Sequence, residues 1–290
     1  MNVLILHFPH PEGYPPTLNA ISCISKIATN ITILSTNTLP TKWNYPSNTE
    51  LILFEGEHNR FKQAKWSWHK KIRSYFNYIF KINSLLKEKE IDLLIIYDNI
   101  PFLFFTIASL FRKKTFKIWY HSHDVYPVSR YKMFTLKWLS ATIERKPLFF
   151  NYLDFFSLPA IERKVMFPLD TFKGKFFFIP NYPSKNFIDS KNSLTINENE
   201  LRIVYPGSPS NKNGFKELID VMGTKINSKT MTLTIIGEVN PNYKTELFEY
   251  AKSKNITIQL RFVDRIPYTE MTHELKKYHI GWAVYKPVDL

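Results

Sequence analysis

Apolar residues fall into short continuous runs separated by stretches of helical period. The run Val3 to Phe8 carries His7 and passes into Pro9 and His10, the form of a buried strand emptying into a proline-rich loop. Leu18 to Ala28 reads as a helix, Asn30 to Ser35 as a second strand and Glu50 to Glu55 as a third. From Ile72 to Glu90 the apolar positions Ile72, Tyr75, Phe76, Ile79, Phe80, Ile82, Leu85 and Leu86 keep a helical period. Ile91 to Tyr97 predicts a strand, 101–111 a helix, Phe116 to Tyr120 a strand, and Tyr131 to Pro147 a helix. Phe155 to Leu158 and Phe176 to Ile179 close this half as strands.

The stretch 186–200 is polar, rich in Asn and Ser and without apolar period, so it reads as a linker between an N-terminal domain (1–185) and a C-terminal one (201–290). Beyond it the alternation resumes with a strand at 201–207, a helix at Gly214 to Met222, a strand at 233–237 and a helix at Asn242 to Lys252. A strand at 258–263, a helix at Tyr268 to Tyr278 and a last strand at Ile280 to Tyr285 follow. The expectation is an α/β chain of two Rossmann-like, doubly wound domains, the second with four strands and incomplete.

Composition narrows the classes. A single cysteine, Cys23, excludes an intramolecular disulfide, and the opening lacks the basic and apolar regions of a signal peptide, so the cytoplasm is expected. The longest apolar candidate, Ile95 to Phe111, is broken by Asp98, Asn99 and Pro101, so no spanning helix is expected. The net charge of +14 is uneven: residues 1–185 hold 25 basic and 13 acidic residues, and 186–290 hold 14 and 12. The excess points to an acidic partner of the first half.

Candidate chemistry is sparse. The glycine fingerprints of dinucleotide sites and P-loops are absent, and there is no Asp-x-Asp pair, which favours metal-free chemistry. His121-Ser122-His123-Asp124 follows a strand. Its residues suit either a strand-end cap with a surface histidine or a ligand-facing His123. A metal pair is disfavoured because Val125 stands where a carboxylate is needed. Gly207 to Gly214 joins a strand to a helix through small polar residues, so the amides of Gly207 and Ser208 with Lys212 could receive an anion, or the segment could be a solvated loop. The stretches 61–76 and 130–146 interleave Lys and Arg with Trp, Tyr and Phe, which suits an anionic membrane surface or a core helix with a basic outer face. Nucleic acid is not expected, because no recognition motif accompanies the charge.

Four stretches carry a family likeness: WYHSHDVYP (119–127), the helix-then-strand 142–164 with Glu144 and Asp154, FIPNYPS (178–184), and the opening of the second half with 204–219, 233–239 and 263–287. The chain resembles a glycosyltransferase of the GT-B fold, close to retaining glycosyltransferase family 4. The likeness implies transfer of a sugar from a nucleotide-diphosphate donor, without cofactor or metal, to a lipid-linked or saccharide acceptor in cell-surface polysaccharide assembly. It implies catalytic roles for His123, across the cleft beside the transferred sugar, and for Lys212 at the diphosphate. Gly207, Ser208, Asn213, Gly237, Pro267 and Tyr268 are implied on the donor side, and Gly13, Tyr14, Asp124 and Tyr126 on the acceptor side. The aromatic-basic stretches and the basic excess of the first half make an anionic membrane surface, with peripheral attachment at the inner face of the cell membrane, the expectation. The family commonly has basic residues where this chain has Ser208 and Asn213, with Lys212 one position off. Its E-x7-E donor segment is not found, so a truncated chain is expected. Such a chain would be a non-catalytic remnant, or half of a split enzyme with a complementing C-terminal fragment.

Overall fold

The computed structural model describes residues 1–36, 43–54, 65–110, 112–182 and 199–286. The chain divides into two compact units, Met1–Ser184 and Lys185–Leu290. In the first, β1 (Asn2–His7) leads to α1 (Pro15–Ile24), β2 (Asn30–Thr36), β3 (Thr49–Phe54), α2 (Trp68–Glu88), β4 (Leu93–Tyr97) and α3 (Asn99–Ser109). Then come β5 (Lys117–His121), α4 (Leu136–Ile143), α5 (Pro147–Phe150), β6 (Phe155–Leu158) and β7 (Lys175–Phe178). All seven strands are parallel, in the order β3-β2-β1-β4-β5-β6-β7.

The continuous apolar runs have a direct cause, since helices cover both faces of this sheet. Leu4, Leu6, Leu94, Ile96, Ile118 and Tyr120 point to one face and pack with Tyr78 and Ile82 of α2 and Phe102 to Phe105 of α3. Val3, Ile5, Ile95 and Tyr97 point to the other and pack with Ile21 and Ile24 of α1. Tyr78 is fully buried, yet its hydroxyl donates to the Leu34 carbonyl at 3.1 Å, so that hydroxyl is not stranded. Ser67 caps α2 by accepting from the Lys70 amide. At the start of β6, Asp154 accepts from the Ile118 amide and pairs with Lys114 and Lys117, tying β6 to β5.

The second unit has β8 (Glu200–Pro206), α6 (Phe215–Met222), β9 (Lys225–Ile226), β10 (Lys229–Ile236), α7 (Pro241–Ser253), β11 (Leu260–Val263), α8 (Tyr268–Leu275) and β12 (Ile280–Gly281). Its parallel strands run β11-β10-β8-β12, and β9 pairs antiparallel with β10. The sheet thus has five described strands rather than four. The two-residue β9 escaped because its turn residues Asn227 and Ser228 take left-handed backbone angles, a hairpin without a glycine signal.

Two expected elements are shorter than the apolar pattern suggests. The helix expected over Tyr131 to Pro147 starts only at Leu136, where Thr135 caps it by accepting from the Trp138 amide, and α5 begins separately at Pro147. The strand expected over Ile280 to Tyr285 ends at Gly281, because Trp282 and Lys286 turn onto the loop after β8. Most of the expected linker, residues 61–64, Glu55, Phe111 and 183–184 lie outside the described residues. Among the described residues no helix is long and apolar enough to cross a membrane.

Candidate active site

Strand order locates the crevice before any side chain is considered. From β1 the chain proceeds to one side of the sheet and from β4 to the other, so the loops leaving these adjacent strands diverge and open a cleft at their carboxyl ends. The register then lines up His7, Tyr97, His121 and Ser157 as consecutive partners across β1, β4, β5 and β6. Strand parity puts His7, Tyr97 and His121 on the α1 face, in step with Val3 and Ile5.

His7 is fully buried, with Nδ1 against the Pro9 carbonyl at 2.5 Å and Nε2 3.3 Å from the Thr17 hydroxyl. Burial pushes its pKa down to about 4, so it is neutral, with Nδ1–H donating to Pro9. His121 is likewise buried and pushed down to about 3, and its Nδ1 lies 2.7 Å from the Ser157 hydroxyl, which also accepts from Trp119 Nε1. His123, beyond the strand end, is 6% exposed and stacks on Tyr97 at 5.1 Å between ring centroids. The surface histidine of the capping alternative is therefore not found, since both histidines of the HSHD segment are buried.

Asp98 holds His123 in place. Its Oδ1 accepts from the His123 amide at 2.7 Å, and its Oδ2 faces His123 Nδ1 at 3.4 Å. Burial raises the carboxyl, but the His123 ring and amide together with His7 outweigh it, leaving Asp98 below the usual carboxylate range. Its backbone sits at φ 66° and ψ 169°, a conformation costing about 1–3 kcal/mol for a non-glycine residue. Although Asp98 precedes α3, its side chain does not cap that helix; it turns to the neighbouring strand end instead. From the far side, Arg163 Nη1 donates to the His123 carbonyl at 2.5 Å.

His7, Asp98 and His123 offer ligand atoms within 4.8 Å of one another, the two-imidazole, one-carboxylate set of many transition-metal sites. Protein groups already engage both His7 nitrogens and Asp98 Oδ1, so the cluster is satisfied as it stands. A 290 Å³ cavity opens beside it, with Tyr97, Trp119, His121 and His123 at its polar end and Pro16, Ala20, Ile24 and Ile179 along its walls.

The other acceptor-side candidates do not line this cavity, although Tyr14 lies against its histidines. Gly13 lies in the short 3-10 turn Pro11–Gly13, and the Tyr14 ring sits 4.9 Å from His7 and 5.9 Å from His123. Asp124 is exposed, with partial burial and the Asp98 charge raising its pKa. Tyr126 stacks under Arg130 at 4.1 Å. Glu144 lies elsewhere, buried against the Tyr120 hydroxyl, and burial raises its pKa to about 7. The pattern of residues flagged His123 but not its supports. Asp98 was visible only as a polar break in an apolar run, and Arg163 only as part of a likeness.

In the second unit the crevice between β8 and β12 carries the Gly207 to Gly214 loop. Here one expectation is corrected: the Gly207 amide donates to the Ile236 carbonyl at 2.9 Å and is not available to an anion. Gly237 explains the close fit, because a Cβ there would lie 2.4 Å from the Gly207 oxygen, at a φ of 149°. Asn213 is buried, and its Oδ1 accepts from both the Ser210 amide and hydroxyl at 2.9 Å. Its carbonyl accepts from Trp282 Nε1 at 2.7 Å. Asn213 thus shapes the loop. Ser208 and Lys212 are exposed, Pro267 precedes α8, and Tyr268 begins it.

No family model matches the chain, and no curated protein matches it by sequence. Solved structures do match it. Sucrose-phosphate synthase from Thermosynechococcus elongatus aligns with a TM-score of 0.69 at 11% identity, over 100% of this chain and 77% of its own. WaaG, a glycosyltransferase involved in lipopolysaccharide biosynthesis, aligns at 0.66 and 12%, over 97% and 74%. Anabaena HepE in complex with UDP and glucose aligns at 0.65 and 12%, over 97% and 73%. At such identities the likeness establishes architecture rather than activity. The chain has the GT-B fold.

Proposed function

We propose that the chain transfers a sugar from a nucleoside-diphosphate sugar to a saccharide or lipid-linked acceptor, with retention, in cell-surface polysaccharide assembly at the cytoplasmic side of the membrane. The observation that carries this reading is the His123–Asp98 pair at the switch point of the first sheet, in a fold shared with HepE, held there with UDP and glucose. The bond from the anomeric carbon to the diphosphate breaks with its electron pair leaving on the diphosphate oxygen, the acceptor hydroxyl oxygen bonds to that carbon, and the hydroxyl proton passes to the departing diphosphate or to water. The leaving diphosphate gains charge, which Lys212 and the Ser208 amide would stabilise. His123, oriented by Asp98, faces the transferred sugar. Gly13, Tyr14, Asp124 and Tyr126 shape the acceptor side, while Gly237, Pro267 and Tyr268 line the donor side, with Gly207 and Asn213 holding its loop.

The test is transfer from a panel of nucleotide sugars to lipid-linked and free saccharides. Transfer that is lost in His123→Ala and weakened in Lys212→Ala supports the roles, and unchanged transfer in both removes them. A second reading, a ligand-binding chain without catalysis or one part of a split enzyme, is favoured by the engaged Gly207 amide and Asn213 side chain. It predicts nucleotide binding without transfer, restored by a complementing fragment if the enzyme is split.

A further inference from the structure

The helix layer over one face of the first sheet has an outer surface that the sugar-transfer reading does not use. α2 packs on α3, and α3 on α4. The core side of α2 is Ser74, Tyr78, Ile82 and Leu85. Roughly opposite, Trp68, Ile72, Phe76 and Phe80 follow one another at four-residue spacing and form a second apolar stripe. Trp68 is 64% exposed, Phe76 56% and Phe80 65%. A helix apolar on two sides has a second partner, and none of the described residues covers this one.

The stripe continues onto the neighbouring helix. Between α2 and α3 lies an open groove of 420 Å³, lined by Ile79, Phe80, Ile107 and Ala108, with Lys87 and Arg112 at its margins. Beyond α3, the segment leading into α4 exposes Phe134 at 87%. The two aromatic-basic stretches picked out in the sequence, far apart along the chain, therefore flank α3 in one layer.

Charge selects the occupant. Residues 65–81 contain five Lys and Arg residues and no Asp or Glu. Arg73 lies beside the stripe on the helix surface, and Lys70 sits 4.0 Å over the Trp66 ring. Large aromatic and aliphatic side chains projecting from a cationic helix match the boundary between acyl chains and anionic headgroups. We infer that the outer face of α2, continued by α3 and the approach to α4, docks on an anionic lipid bilayer. The inference deepens the proposed lipid-side acceptor chemistry and rests on it only for its purpose, since docking needs neither nucleotide nor sugar.

The experiment is co-sedimentation of the whole chain with phosphatidylcholine vesicles, with and without phosphatidylglycerol, in the absence of nucleotide sugar and acceptor. The chain pellets with the anionic vesicles and at least ~10-fold less with the neutral ones. The double variant Phe76→Ser/Phe80→Ser loses ~10-fold or more of that binding. Lys70→Glu/Lys71→Glu loses on the order of 10-fold, with circular dichroism unchanged in both because all four side chains lie outside the core. Three results overturn the inference: no pelleting with either vesicle, binding indifferent to the phenylalanine pair, or a dimer in sedimentation velocity that the same pair disperses, which makes the face a self-association surface. Failure here leaves nucleotide binding and transfer standing, and their failure leaves the vesicle result standing.

Discussion

Counting parallel strands alone, the two sheets begin in the same order, β3-β2-β1-β4 in the first unit and β11-β10-β8-β12 in the second, yet their switch points are furnished in opposite ways. The first gathers three histidines and a carboxylate, nearly all buried, with Asp98 held in a strained backbone conformation. The second offers two glycines in close contact, a buried asparagine that braces its loop, and the exposed Lys212. Desolvated titratable groups suit a centre where bonds change, because charge acts strongly there. A loop of backbone and small residues suits a ligand that brings its own charge and must approach closely. On the proposed reading, the same topology separates a chemical end from a binding end.

The separation breaks most visibly at Asp98. Asp98→Gly relieves the backbone strain while removing the carboxylate, so stability should change little while transfer falls by about 10²–10³-fold. Thermal melts and initial rates on the same variant check this, and nucleotide affinity should stay put. A large loss of stability instead would mean that the carboxylate braces the fold rather than the chemistry.

Acid comes next. His7 and His121 titrate at about 4 and about 3 in the folded chain, whereas the unfolded chain takes up those protons near 6.5. Their contribution is present above about pH 6.5 and lost as pH falls towards 4 and 3, at a cost of ~3 kcal/mol for His7. Glu144 works the other way. Its pKa is raised to about 7, so its contribution is present below its unfolded value and lost as pH rises through 7. Urea midpoints against pH should therefore fall most steeply on the acid side, and His7→Asn should flatten that limb. Substitutions in the second switch point should leave it unchanged.

Gly237→Ala should cost about 2–3 kcal/mol, because the new methyl meets the Gly207 oxygen at 2.4 Å in a backbone conformation that alanine disfavours. Asn213→Ala should cost about 1 kcal/mol and loosen the donor loop, read as weaker nucleotide binding with His123 chemistry intact. The smallest expected effect is that of a chelator, which should leave transfer unchanged. Zinc that raises the melting temperature of the wild type but not of His7→Asn would instead make the first switch point a metal site.

Much of this was legible beforehand, and the remainder has physical causes. The alternation of elements and the doubly wound class follow from continuous apolar runs, which only strands covered on both faces require. His123 stood out because it follows a strand end. Asp98 did not, since a residue in its position ahead of a helix ordinarily reads as a cap, and only the register of β4 against β5 turns it towards His123. His7 and His121 became neighbours through the same register, which no single segment encodes. The Gly207 amide looked free because its partner, Ile236, lies on another strand.

The central claim is the division of labour, and calorimetric titration of uridine and guanosine diphosphates into three proteins tests it most directly. The wild type should bind one of them, Lys212→Ala should bind it ~5–10-fold more weakly, in line with the loss of one charged contact, and His123→Ala should bind as the wild type does. Absence of binding by the wild type to either nucleotide, or equal weakening in both variants, would contradict the account.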